Sequence, residues 1–243
     1  MFKFYEVGGK VRDELLNLTS KDVDYTVVPS DELLNSGLDI LSIFKKLEEY
    51  LTIEGFTIFL STPECYTIRA MFPNNHKYSG VADFVLARKE IGYIPNTRTP
   101  ILIPGTLYDD LERRDFTLNA LAKDEDGNII DYFNGMSHLS EGILITPINC
   151  EITFNDDPLR ILRAIRFSIT KEFTIHQTLV DCMKSYDYFT KMHVVSSERI
   201  REELFKCFKH DTLKTIYELS KYPNLLEYCF MCTDLWLNPT NKK

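Results

Sequence analysis

Near residue 156 the apolar residues change from the short alternation of strands to the three-to-four spacing of helices, which limits the chain to a mixed α+β part followed by an all-helical one. Before the change, residues 2–7 read as a strand running into Gly8-Gly9, residues 11–18 have helical spacing, and residues 22–28 alternate strictly. Ser30 or Asp31 can cap a helix predicted over 33–51. Further strands or buried segments are expected at 53–60, 81–87 and 116–122, with Asp126-Gly127-Asn128 as the turn before 129–132. After the change, Leu159, Ile161, Leu162, Ile165 and Phe167 set the helical period. It continues over 178–189, 197–208 and 213–222, with Pro223-Asn224 as an end signal. Two domains are expected, 1–145 and 146–243.

Charge divides along the same line. Residues 1–150 carry 14 basic and 23 acidic side chains, residues 151–243 carry 14 and 13, so the net charge of -8 resides in the first part. That balance argues against indiscriminate nucleic-acid binding and suits cation binding in the first part, with RNA, if bound, relying on local arginines. The six cysteines (Cys65, Cys150, Cys182, Cys207, Cys229, Cys232) are scattered in a chain too long to need stapling, so free thiols and a reducing compartment are expected. Cys229 and Cys232 form a lone C-x-x-C without a second ligand pair for zinc. No apolar run is long enough to span a bilayer, and the N-terminus alternates like a strand instead of reading as a signal peptide. The expectation is a soluble, cytoplasmic protein.

Asp22-Val23-Asp24 falls on a predicted strand, where residues two apart share a face. Two like charges side by side call for a cation between them, and hard carboxylate oxygens with substrate phosphates suit magnesium (Mg2+). A solvated strand face is the alternative. Gly8-Gly9, between strand and helix, lets backbone N–H groups approach a phosphate closely, or is simply a tight turn. Arg12 either reaches a triphosphate or pairs with Asp13. Asp83, a charge within the apolar run VADFVLAR, is either a third carboxylate beside Asp22 and Asp24 or a strand-edge acid paired with Arg88 or another base.

Two later blocks combine charge with apolar residues. In RRDFTLNAL (113–121), Arg113 and Arg114 can hold phosphates, and Asp115 and Asn119 can bond a ribose hydroxyl; a charged loop entering a strand is the alternative. In NDDPLRILRAIRF (155–167), Pro158 suits a first helical turn capped by Asp156 or Asp157. Asp157, Arg160 and Arg163 recur every third residue along one stripe, where an acceptor beside donors can read a base edge. The alternative for Asp157 is a helix cap with an ion pair. The polar loop 73–80 is assigned no role.

In this order, VGGKVRDELL (7–16), KDVDYTVV (21–28), RRDFTLNAL (113–121), DDPLRILRAIRF (156–167) and SSERIREEL (196–204) resemble the tRNA nucleotidyltransferase and poly(A) polymerase family. The resemblance implies a polymerase-beta-like nucleotidyltransferase head, a mixed sheet with flanking helices, followed by a helical neck. Asp22 and Asp24 match its metal ligands, and Asp83 falls where a third acid is often seen. Gly8, Gly9 and Arg12 match triphosphate neighbours; Arg113, Arg114, Asp115 and Asn119 match the block that holds ribose and phosphates. Asp157 and Arg160 match the pair that reads cytosine and adenine, Arg163 supports that helix or the phosphates, and Ser197, Glu198 and Arg199 begin a helix brace. Asp156 stands where Glu is usual and Asn17 where Gly is common. Family members continue into longer body and tail regions, whereas this sequence stops soon after its last block. The implied function is Mg2+-dependent addition of CMP and AMP from CTP and ATP to an RNA 3′ end, most simply tRNA CCA addition. The alternatives are an ATP-specific poly(A) polymerase, a non-catalytic RNA-binding relative, and a transferase acting on a small molecule.

Overall fold

The computed structural model describes residues 1–20, 23–94 and 100–232. One compact unit comprises residues 1–93 and 100–139, and a second begins at Ser140. In chain order the first unit contains β1 (Phe2–Val7), α1 (Gly9–Leu15), β2 (Val23–Pro29), α2 (Asp31–Leu34), α3 (Ile40–Ile53), β3 (Thr57–Thr62) and β4 (Thr67–Met71). It continues with β5 (Val81–Leu86), β6 (Arg88–Tyr93), β7 (Pro100–Pro104), α4 (Leu107–Glu112), β8 (Leu121–Lys123), β9 (Ile129–Asp131) and α5 (Gly135–Glu141).

Seven strands form one mixed sheet in the order β3-β4-β5-β2-β1-β8-β9, in which β2 runs parallel to β5 and antiparallel to β1. Strand alternation gives this sheet two different faces. On one, Val23, Tyr25 and Val27 pack with Ile68, Ala70, Phe84 and Leu86 beneath Ile43, Phe44, Leu47 and Leu51 of α3. Each of the buried Val, Leu, Ile and Phe side chains among them contributes about 1.5–3 kcal/mol relative to exposure. On the other face, Val7, Ala120 and Ala122 pack against Leu107 and Leu111 of α4, and this face carries Asp24 and Thr26.

Three expectations from the sequence need correction. The helix predicted over 33–51 is two helices: Ser36 Oγ donates to the Leu33 carbonyl, Gly37 takes φ +77°, and Asp39 restarts the helix by accepting from Ser42 N at 2.7 Å. The segment 53–60 is not strand throughout, because Ile53 ends α3 and Gly55 turns the chain at φ +85° before β3. The segment 116–122 is buried as expected, but a 3-10 turn at Thr117–Asn119 precedes the three residues of β8. The turn at 126–128 forms as read, with Asp124 accepting from the backbone of Asp126 and Asn128 and Gly127 at φ +88°.

The second unit contains β10 (Ile143–Leu144), α6 (Cys150–Asp156), α7 (Leu159–Thr170), β11 (Thr174–Ile175), α8 (Gln177–Ser185), α9 (Tyr188–Lys191), α10 (Ser197–His210), α11 (Thr212–Ser220) and α12 (Pro223–Glu227). To the helices it adds a two-residue parallel pairing of β10 with β11. Pro223 opens α12 instead of closing the helical region, as its fixed φ suits a first turn. Among the described residues no helix is long and apolar enough to cross a membrane.

At the start of α5, buried Gly135 lies against the 3-10 turn: a Cβ there would collide with the Thr117 carbonyl oxygen and come within 2.9 Å of its carbon. Gly135→Ala is expected to cost about 1–3 kcal/mol. A lower midpoint in urea unfolding at unchanged slope checks this, and an unaltered midpoint refutes it.

Candidate active site

The chemical face of the sheet is organised from below by a residue that the motifs did not single out. Asp110, on α4, is 0% exposed and sits among positive groups. Its Oδ1 accepts from Arg113 Nη2 at 2.6 Å and Nε at 3.0 Å, and its Oδ2 accepts from Arg114 Nη2 at 3.1 Å and Thr26 Oγ1 at 2.6 Å. Burial alone pushes this carboxyl up, but the two guanidinium groups and the hydroxyl overcome it and hold Asp110 well below the usual carboxylate range. The signal was local: in LYDDLERR, Asp110 precedes the two arginines by three and four residues on one helical turn.

Thr26 shares its strand face with Asp24, two residues away. Asp24 is half-buried; in the strand register it lies opposite Val7 on one side and Asp83 on the other. The strand of Asp83 is thus a neighbour of that of Asp24, as expected, and both point to the same face. The charge partner of Asp83 is Arg69 on β4, whose Nε and Nη2 each donate to it at 2.6 Å, and not Arg88. Asp22 lies outside the described residues.

Gly8 closes the other side. It takes φ +70°, and a Cβ added there would stand 2.8 Å from Arg114 Nη1 and 4.0 Å from Asp24 Oδ2, so glycine makes room for a guanidinium beside a carboxylate. At Gly9 a Cβ would make only an ordinary contact with a second guanidinium, Arg12 Nη2 at 3.6 Å. Arg12 is 7% exposed and anchored by Asp13 Oδ1 at 2.8 Å and Asn119 Oδ1 at 2.6 Å. Asn119 Nδ2 donates to Asp115 Oδ1 at 2.8 Å, and Phe116 N donates to the same oxygen at 2.9 Å. Arg12, Asn119 and Asp115 therefore form one buried chain, in which Arg12 makes the ion pair and still borders Gly9. Arg113 extends towards Glu90, 3.6 Å away.

The hard donors on this face that a divalent metal could use are the carboxylate oxygens of Asp24 and, across the strand register, of Asp83, the latter already paired with Arg69. Among the described residues no group of three His, Cys, Asp or Glu side chains could hold a metal on its own.

In the second unit, Asp157, Arg160, Arg163 and Arg166 form a half-buried stripe at every third position while nearly all intervening residues of α7 are buried. Asp157 Oδ1 accepts from Leu159 N at 3.1 Å, the capping bond expected of it, and its Oδ2 lies 3.8 Å from Arg199 on α10. Arg160 Nη1 donates to the Thr153 carbonyl at 3.1 Å. Buried Glu203, also on α10, accepts from Arg166 Nε at 2.5 Å and lies 4.0 Å from Arg163. The α10 block thus braces α7.

A family model described as the poly A polymerase head domain matches residues 4–145. The chain is 34% identical over 207 residues to the CCA-adding enzyme of Lactobacillus johnsonii, which covers 84% of this chain and 46% of that one. It is 34% identical over 210 residues to the multifunctional CCA protein of Nitrosomonas eutropha, covering 83% and 43%. A solved complex of a CCA-adding enzyme with CTP superposes with a TM-score of 0.67 at 26% identity, over 92% of this chain and 47% of that one. The chain spans less than half the length of each of these relatives.

Asp110→Asn is expected to lower stability at pH 7 by about 3 kcal/mol or more, because it strands two arginines and a threonine hydroxyl. The depressed carboxyl stabilises the fold above its unfolded pKa, and that contribution fades below about pH 4 as the pH approaches the folded value. Urea unfolding between neutral and acid pH should therefore show a shallower acid loss in the variant; equal acid slopes refute the clamp.

Proposed function

The chain belongs to the tRNA nucleotidyltransferase and poly A polymerase family, and on that premise we propose that it adds CMP and AMP from CTP and ATP to the 3′ end of RNA, with a tRNA lacking its CCA as the acceptor. The observation that carries the reading is the room Gly8 leaves for the Arg114 guanidinium beside the Asp24 carboxylate, with the Arg12 guanidinium next to Gly9. That arrangement combines donors for a polyphosphate with an oxygen ligand for the cation that accompanies it.

Nucleotidyl transfer in this family is generally metal-dependent. In our reading the metal is magnesium, held by Asp22 and Asp24, and when bound it polarises the α-phosphate and favours ionisation of the attacking 3′ hydroxyl. Asp83 adds negative charge on the same face while Arg69 keeps that charge from repelling Asp24. Arg12, Arg113 and Arg114 hold the triphosphate, and Asp110 keeps Arg113 and Arg114 in place by pairing with both. Asp115 and Asn119 seat the ribose. The 3′ oxygen forms the new ester bond to the α-phosphorus while the bond to the β-phosphate breaks and pyrophosphate leaves; no covalent enzyme intermediate is needed. Asp157 and Arg160 select cytosine or adenine, and Arg163 steadies their helix. A head over 1–145 and a base-reading helical region over 146–243 divide the work. The acceptor, together with the free thiols at Cys65, Cys150, Cys182, Cys207 and Cys229, suits the cytoplasm.

The deciding assay incubates purified protein and Mg2+ with tRNA lacking its 3′ CCA and either CTP or ATP alone. CCA addition requires C to enter first, so label should appear from CTP and not from ATP; the reverse result supports A-tailing, and no incorporation from either nucleotide sinks the enzymatic reading. Asp24→Ala should abolish incorporation with the circular dichroism spectrum unchanged. Arg114→Ala should raise the KM for nucleotide about tenfold or more, the worth of a charge-assisted hydrogen bond.

A further inference from the structure

On the sheet face turned away from Asp24, a cavity of about 390 Å3 is lined by Phe4, Tyr25, Phe84, the end of α3 and the loop 73–80. This lies within the size range of small-molecule sites, about 300–1,000 Å3. Its walls are aromatic. Phe4 and Tyr50 stack at 5.6 Å, Tyr25 and Phe84 at 5.1 Å, and Phe56 meets Phe84 edge-on at 5.2 Å. Tyr25 is only 8% exposed, and burial pushes its hydroxyl pKa well up. None of these side chains has a part in nucleotidyl transfer.

The charge around the cavity is one-sided. Its lining includes four carboxylates, Glu6, Glu54, Asp124 and Glu125, against the ammonium groups of Lys77 and Lys123. Both lysines are already engaged by buried Glu6, at 3.1 and 3.0 Å, and Lys123 is further drawn to Glu14 at 2.7 Å. Asp124 is occupied by the turn amides of Asp126 and Asn128. His76 adds no positive charge at neutral pH: burial lowers its pKa, the Lys77 ammonium lowers it further, and its ring stacks on Phe72 at 4.5 Å. Glu54 and Glu125 stay exposed beside Tyr50, so aromatic faces and an uncompensated negative field coincide.

We infer that this cavity binds a small organic cation, an alkylammonium group seated on the faces of Phe4, Tyr25 and Tyr50 with Glu54 and Glu125 as counter-charge. Ring faces carry the negative end of the aromatic quadrupole and attract such a cation, most strongly where it is desolvated. A nucleotide would be able to stack here, but its phosphates would meet the carboxylates at the opening. The inference is independent of the transferase reading, since it uses the opposite face of the sheet.

The test is a calorimetric and proton-NMR titration of the full chain with choline, with benzyltrimethylammonium as a larger probe and 3,3-dimethylbutan-1-ol as the neutral isostere of choline. Saturable binding of at least one cation is expected, with its N-methyl resonance shifted upfield by the rings and the neutral alcohol binding at least tenfold more weakly. A Glu54→Gln/Glu125→Gln double variant should weaken cation binding at least fivefold without changing thermal stability or nucleotide incorporation, and Tyr50→Leu should remove the upfield shift. No saturable binding of either cation, an equally tight neutral isostere, or an unaffected double variant would each overturn the proposal. Because the two glutamates are exposed, their variant decides the matter even if Tyr50→Leu does not fold.

Discussion

A fully buried carboxylate is tolerated only when positive or donor groups surround it, and in the first unit Asp110 meets that condition with two guanidinium groups and a hydroxyl. The groups that satisfy it come from three places: the threonine from β2, one arginine from the end of α4 and the other from the turn beyond. Packing them around one acid fixes the strand that carries Asp24 relative to the segment that carries Arg114. The acid lies beneath the chemical face and cancels about one of the two positive charges that it organises, leaving a guanidinium next to Gly8. In the proposed reaction such prearranged charge meets the incoming anion without reorganisation, which is where electrostatic catalysis gains most.

The two faces of the sheet follow from one alternating strand. In β2, Val23, Tyr25 and Val27 turn to the core under α3, while Asp24 and Thr26 turn to the carboxylate and arginine side. A shift of one residue in register would exchange these sets, so the hydrophobic packing of the first face also specifies the chemistry of the second. The neighbouring strands obey the same rule. Asp83 faces with Asp24 because Ala82, Phe84 and Leu86 are claimed by the core.

What the sequence made legible was periodicity and local spacing, and what it hid was long-range pairing. The alternation of 2–7, 22–28 and 81–87 located the central strands, and the three-residue stripe of Asp157, Arg160 and Arg163 emerged as read. The bond from Arg12 to Asn119 joins residues 107 apart, so the sequence offered Arg12 only a triphosphate or its neighbour Asp13, and Asn119 only a ribose hydroxyl or a loop. The segment 116–122 could be read only as strand or buried segment, because burial without alternation has no period to distinguish a strand from a buried turn. The helix break at 35–39 depends on a glycine and a capping aspartate within an otherwise helical run, signals that apolar spacing overrides when read alone. Asp110 was hidden for the opposite reason: it stands among exposed-looking charges, and only the fold takes it out of water.

The helical stripe raises a different physical question, since reading a base without a template requires donors and acceptors whose directions do not depend on the ligand. In the proposed reading Asp157 and Arg160 draw this fixity in part from the backbone: the acid accepts from the Leu159 amide and the guanidinium donates to the Thr153 carbonyl. Each bond spends part of the hydrogen-bonding capacity of its side chain and fixes how the remainder is aimed, because a carboxylate accepts at two oxygens and a guanidinium donates from a planar fork. Buried Glu203 then ties α7 to α10, and Arg199 ties Asp157, at the junction of α6 and α7, to the same helix, so the stripe is braced from α10. In the proposed reaction, discrimination between nucleotides thus follows from rigidity. A pair free to swing would pair with any base, whereas one pinned from beneath presents a fixed pattern that a wrong base edge leaves unsatisfied, at a cost of about 1–3 kcal/mol for each buried polar group left without a partner.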